Sequence, residues 1–162
     1  TDMYLWASEY LVNNGWEHYE VSNFAKPNCQ SRMNQMVWNG SGYLGVGVGA
    51  HSYDGQSRWG NLRSLHRYLQ LLEENCWPTA FSENLTDTEK ANEFLMLQLR
   101  QTKGLSLKKW EGKFAPKNWM DTHFDLLRAW QREGLLNWMG DRIVLTKKGL
   151  LVADALTAEL SF

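Results

Sequence analysis

The sequence has 162 residues, a net charge of −1 from 17 basic and 18 acidic side chains, and 13% aromatic residues, nine of them tryptophan. That length buries a real core and fits one domain or two small ones, and the charge balance argues against a dominant phosphate-binding surface. Cys29 and Cys76 are too few and too far apart for a metal site or a disulfide framework, and two free thiols suit a reducing cytoplasm. No apolar run reaches membrane-spanning length and no signal sequence is visible. The surplus of tryptophan indicates a dense core or a face buried against something else.

Residues 3–13 place Leu5, Trp6, Tyr10 and Leu11 at helical spacing, and Asn14-Gly15 is a C-terminal stop. The chain starts with Thr1 and enters this helix almost at once, so it reads as a piece of a longer protein. Trp16 to Ser22 alternates like a strand, with Tyr19 and Val21 on one face. Helix, short turn and strand is the repeating step of an α/β barrel or sheet. Asn23 to Gln30, with Pro27, reads as a loop, and Ser31 to Trp38 as a short helix ended by Asn39-Gly40-Ser41-Gly42. The segment Tyr43-Leu44-Gly45-Val46-Gly47-Val48-Gly49-Ala50-His51-Ser52-Tyr53 reads as a strand with one bare face and one apolar face. Glycine in a strand costs ordering entropy and packs nothing, so a bare face implies close approach of another backbone or of a ligand. Sites in α/β folds form just past strand C-terminal ends, which places Asn23 and His51 toward a ligand.

Asp54-Gly55-Gln56 is a turn, Ser57 to Asn61 a return strand, and Ser64 caps a helix through Glu74 with Leu65, Tyr68, Leu69 and Leu72 on one face. Asn75 to Asn84, with Pro78, reads as the boundary between domains at 1–77 and 85–162. Thr86-Asp87-Thr88-Glu89 is a capping box opening a helix to about Gln101, closed by Gly104. Ser106 caps a short helix through Lys113, and another runs from Asn118 or Trp119 to Arg132. Leu135 to Met139 and Arg142 to Leu145 flank Gly140-Asp141 as a tight hairpin, and Thr146 caps a final helix over 147–160. Three helices, a hairpin and a helix describe a winged-helix-like module.

Tyr19-Glu20-Val21-Ser22-Asn23-Phe24-Ala25 followed by Tyr43-Leu44-Gly45-x-Gly47-x-Gly49-Ala50-His51-Ser52 resembles the C-terminal part of the oxygen-independent coproporphyrinogen III oxidase (HemN/HemW) family of radical S-adenosylmethionine (SAM) proteins. Order, spacing and tail resemble its heme-chaperone branch more than the oxidase. The resemblance implies an α+β fold: the last strands and helices of a partial, TIM-like α/β barrel, then the winged-helix-like domain covering the barrel's open side. It implies a [4Fe–4S] cluster and SAM in the parent protein, held upstream on a Cys-x-x-x-Cys-x-x-Cys loop that this chain lacks. The chain alone is therefore expected to be inactive.

On the same resemblance Gly47, Gly49, Ala50 and His51 lie at the rim of the SAM site. The heme-chaperone branch carries His-Asn-x-x-Tyr-Trp, and here the aligned residues are Met33-Asn34-Gln35-Met36-Val37-Trp38. Asn34 and Trp38 match; Met33 and Val37 depart from the pattern. Methionine also ligates heme iron, so Met33 is a candidate axial ligand, and against that stands its ordinary use as a core filler. His66 and His123 read as structural or solvent-facing. The partners implied are heme or coproporphyrinogen, the preceding barrel, a membrane heme acceptor, and a second copy through the apolar face of the glycine strand. In the oxidase reading Arg32 and Arg58 would meet substrate carboxylates. A winged-helix nucleic-acid module is a third reading, since Leu145-Thr146-Lys147-Lys148-Gly149-Leu150 after a hairpin is similar to many bacterial regulators, with Arg142, Lys147 and Lys148 on phosphates. Near-zero net charge and an acidic, aromatic helix before the hairpin argue against it.

Overall fold

The computed structural model describes residues 1–114 and 118–162. In chain order its elements are α1 (Asp2–Asn13), β1 (Glu17–Glu20), β2 (Asn23–Ala25), α2 (Arg32–Trp38), β3 (His51–Tyr53), β4 (Ser57–Asn61), α3 (Leu65–Glu73) and β5 (Thr79–Asn84). Then come α4 (Asp87–Leu99), β6 (Leu105–Ser106), α5 (Leu107–Phe114), α6 (Trp119–Arg132), β7 (Leu136–Met139), β8 (Arg142–Leu145), α7 (Lys147–Leu150) and α8 (Ala153–Leu160). Helices and sheets are mixed, as an α+β chain requires. Two compact units divide it: residues 1–32 with 91–162, and residues 33–90.

The first unit holds the tryptophan-rich core. Leu95, Leu99, Leu105, Trp110, Trp119, Leu127, Leu136, Ile143 and Leu160 are almost wholly buried, drawn from helices and sheet alike. Trp110 and Trp119 meet edge to face at 4.4 Å, the geometry their ring quadrupoles favour. Both indole N–H groups donate to backbone, Trp110 to the Ala91 carbonyl and Trp119 to the Leu160 carbonyl at 2.7 Å, so neither polar tip is stranded. The sheet has the order β6-β8-β7, all antiparallel. The β7–β8 hairpin turns at Gly140-Asp141, with Gly140 at φ +56°. Asp141 then ties the turn to α5: its carboxylate accepts from the Ser106 hydroxyl and from the Lys108 backbone N–H, both at 2.6 Å. Those two donors hold its carboxyl below the usual carboxylate range.

Two sequence expectations in this unit need correction. Asn23 to Gln30 is not all loop, because Asn23–Ala25 pairs antiparallel with β1 as β2. The final helix is not continuous over 147–160. It breaks at Leu151-Val152, where the Val152 N–H donates to the Gly149 carbonyl in a tightened turn. Gly149 itself lies against the Leu135 carbonyl, a place with no room for a Cβ. The Thr146 cap is present, its hydroxyl accepting from Gly149 N–H at 3.1 Å.

The second unit is built on the antiparallel sheet β3-β4-β5. Within Asn75–Asn84, read from sequence as a domain boundary, Thr79–Asn84 forms β5 and pairs with β4 across a bulge between Gly60 and Asn61. All its residues are exposed, so nothing in its hydrophobic pattern announces a strand. The Ser64 hydroxyl accepts from Arg67 N–H at the start of α3, as its sequence predicts. The capping box forms reciprocally: Glu89 N–H donates to the Thr86 hydroxyl at 3.2 Å, and Thr86 N–H to the Glu89 carboxylate at 2.8 Å.

Candidate functional site

The Tyr-Glu-Val-Ser-Asn motif closes the β1–β2 turn. Glu20 is buried, and one carboxylate oxygen accepts from Ser22 N–H at 2.8 Å and from the Asn23 side-chain amide at 2.7 Å. The other accepts from Arg100 Nε at 3.1 Å, and Arg100 Nη1 reaches Asp154 at 2.7 Å. A buried carboxylate left without such partners would be costly to the fold. The flanking backbone is pinned as well, with Val21 N–H donating to the Arg100 carbonyl and Thr102 N–H to the Tyr19 carbonyl. Asn23 is thus engaged in the turn, which corrects its placement as a ligand-facing residue. Beside Arg100 lies a cleft of about 410 Å³ lined by Val21 and residues 150–155.

The glycine segment is not a strand, which corrects the reading of residues 43–53 as one. Its first residue bridges to β3, where Tyr43 and Tyr53 exchange backbone hydrogen bonds at 2.7 and 2.9 Å. Gly45 then runs against β3: its N–H donates to the buried Ser52 hydroxyl at 2.9 Å, and a Cβ there would collide with the His51 carbonyl oxygen. The bare face is therefore used by backbone at Gly45. Gly47 and Gly49 serve another need, at φ +102° and +68°, values that favour glycine. Together they make a loop whose valines point to solvent, Val46 being 84% exposed.

Asn61 ties that loop down. Its side-chain amide donates to the Gly47 carbonyl at 2.9 Å, its backbone N–H donates to the Ala50 carbonyl, and Gly49 N–H donates to the Leu62 carbonyl. Sequence reasoning missed Asn61 because it saw only the end of a strand there. The pattern Gly-x-Gly followed by a strand ending in asparagine is the one signal that could have found it. Of the residues assigned to the SAM rim, Gly47, Gly49 and Ala50 share this loop, and His51 begins β3, exposed and 5.5 Å from the Phe81 ring.

Helix α2 carries the other candidate set. Asn34 and Trp38 are four residues apart, on one helix face, and both half-buried. Met33 is 50% exposed, as is Met36 three residues on. Arg32 is exposed, whereas Arg58 is held across the β4–β5 pair by the Glu83 carboxylate at 2.8 Å. His66 is exposed, and His123 hydrogen bonds to the Trp119 carbonyl at 2.8 Å.

Cys29 and Cys76 are free and exposed. Among the described residues no group of three His, Cys, Asp or Glu side chains could hold a metal ion. With two cysteines in the whole sequence, a cluster held by three thiolates has no ligand set here. No described helix is long and apolar enough to cross a membrane.

Comparison with known proteins agrees with the motifs. Residues 85–152 match the family described as the HemN C-terminal domain. The chain is 34% identical over 146 residues to the heme chaperone HemW of Mycobacterium tuberculosis (strain ATCC 25618 / H37Rv), which covers 90% of this chain and 35% of that protein. It is 30% identical over 154 residues to HemW of Bacillus subtilis (strain 168), covering 94% of this chain and 40% of the relative. In fold it matches coproporphyrinogen III oxidase (HemN) from Escherichia coli, described as a radical SAM enzyme, with a TM-score of 0.76 at 19% identity over 99% of this chain and 40% of that one. The chain thus spans between a third and two-fifths of the length of these relatives. Residues 85–152 thus carry a HemN C-terminal domain, and in sequence the chain is similar to the HemW branch.

Proposed function

We propose that this chain is the C-terminal part of a radical SAM protein that binds heme and delivers it to an acceptor at a membrane, with residues 1–77 closing a barrel and 85–162 forming its tail domain. The observation that carries the reading is the placement of the heme segment on α2, where the Met33 thioether is half-exposed rather than buried. Sulfur of this kind ligates heme iron and favours its reduced form. Asn34 and Trp38 share a face of the same helix and would fix and cover the macrocycle. The [4Fe–4S] cluster of such a protein would be held by residues outside this chain, whose two cysteines cannot supply three thiolates.

For SAM, the loop of Gly47, Gly49 and Ala50 with His51 is the candidate rim. The side of Gly47 that a Cβ would occupy is open, with no described atom within 4 Å, which fits close approach of a ligand to the backbone. SAM bound there would supply an adenosyl group beside that backbone. The exposed Leu44 and Val46 support a contact with the missing part of the protein or with a second copy.

The oxidase alternative would place Arg32 and Arg58 on substrate carboxylates. Arg58 would first have to leave Glu83. Full-length protein given reduced coproporphyrinogen III, SAM and an electron donor is expected to return the substrate unchanged. Release of two propionate carboxyls as carbon dioxide, leaving protoporphyrinogen IX, would replace the chaperone reading by the oxidase one.

A further inference from the structure

We infer that Asn61 is the positioning residue for the Gly47–Ala50 loop and so sets the affinity for SAM; the inference rests on the assignment of that loop to the SAM rim. The loop has little of its own to hold it in shape. Gly47 and Gly49 both adopt positive φ, and glycine has the largest backbone freedom to lose on ordering. Val46 and Val48 are exposed, so burial contributes little. Besides the loop's own turn bond, from Ala50 N–H to the Gly47 carbonyl at 3.4 Å, what remains is a set of hydrogen bonds to the end of β4: Asn61 amide to Gly47 carbonyl, Asn61 N–H to Ala50 carbonyl, and Gly49 N–H to Leu62 carbonyl, each at 2.9 Å.

Two of these are backbone bonds that survive any side chain at position 61. The third depends on a carboxamide donor. It grips Gly47, whose Cβ side is open and whose φ, +102°, is larger than that of Gly49. Removing that donor leaves the strand and its register in place while freeing the loop tip. Ligand binding must then order the loop again, so affinity falls while the fold stays.

The test uses full-length protein with its cluster reconstituted, and the variants Asn61→Asp and Asn61→Ala. Asp keeps the shape of Asn but, ionised, presents oxygen to the Gly47 carbonyl in place of N–H. SAM affinity is read by equilibrium dialysis, and the electron paramagnetic resonance signal of the reduced cluster is read with and without SAM. Both variants are expected to bind SAM about 10-fold more weakly, the effect of losing one ordering hydrogen bond. Iron content and thermal unfolding should be unchanged. For Asn61→Asp the deficit should narrow as pH falls and the protonated acid regains a donor, whereas that for Asn61→Ala should not.

Wild-type affinity in both variants would overturn the inference and leave the loop assignment standing. Loss of the cluster or of the unfolding transition would overturn it too, making Asn61 a residue of the fold. Failure of the wild-type protein to bind SAM would instead remove the assignment on which the inference rests.

Discussion

Gly45 is where one residue decides local geometry. A methyl there meets the His51 carbonyl oxygen, a backbone atom inside β3 that has no free rotor to swing aside. Gly45→Ala should therefore destabilise the protein by about 1–3 kcal/mol, the usual range for forcing an atom into filled space. The urea midpoint would fall; an unchanged midpoint would mean the Tyr43–Gly45 segment does not run against β3. Asp141 works through charge. Its carboxyl is held below the ordinary range by the Ser106 hydroxyl and the Lys108 N–H, so its folded pKa lies under its unfolded one. Its contribution is whole above the unfolded value and is lost as pH falls through about 4 toward the depressed folded value. Asp141→Asn should then lower the urea midpoint at neutral pH and leave a smaller difference near pH 2. Equal differences at both pH values would contradict this account.

At the scale of elements, some features are legible in the sequence because local chemistry acts alone. The capping box at Thr86–Glu89 forms as written. Thr86→Ala should lower stability by about 1 kcal/mol, read as a shifted denaturation midpoint, because it strands the first N–H groups of α4. An unshifted midpoint would mean that water satisfies them equally well. The Ser64 cap of α3 and the β7–β8 turn at Gly140 were legible for the same reason. β5 was not, because Thr-Ala-Phe-Ser-Glu-Asn has no buried face and is a strand only through its partner β4. The glycine run was misread because one spacing served separate needs, close backbone approach at Gly45 and positive φ at Gly47 and Gly49. Period-two spacing suits a strand, and nothing in it separates those needs. Of the candidate site, the loop residues and the α2 set are proposed from the resemblance, and Asn61 lay outside it, since its contact with Gly47 is 14 residues away along the chain.

For the molecule as a whole, the grouping of residues 1–32 with 91–162 carries a consequence for dissection. Val21 packs on the tryptophan core, and Glu20, Tyr19 and His18 bind Arg100 and Thr102. An isolated 85–162 fragment would leave Arg100 with Asp154 but without its buried partner Glu20. It should unfold at a lower urea concentration than residues 1–162, and an equal midpoint would mark 85–162 as a self-sufficient domain.

The claim at the centre of the account is heme binding through α2, and an absorbance titration of heme into full-length protein tests it most directly. With the iron reduced, the wild-type protein should shift the heme absorption band at micromolar concentration, and Met33→Ala should lose the signature of sulfur ligation while Met36→Ala keeps it. No shift in the wild-type protein would contradict the assignment of heme to this chain's parent, and an unaltered spectrum in Met33→Ala would contradict the role given to Met33.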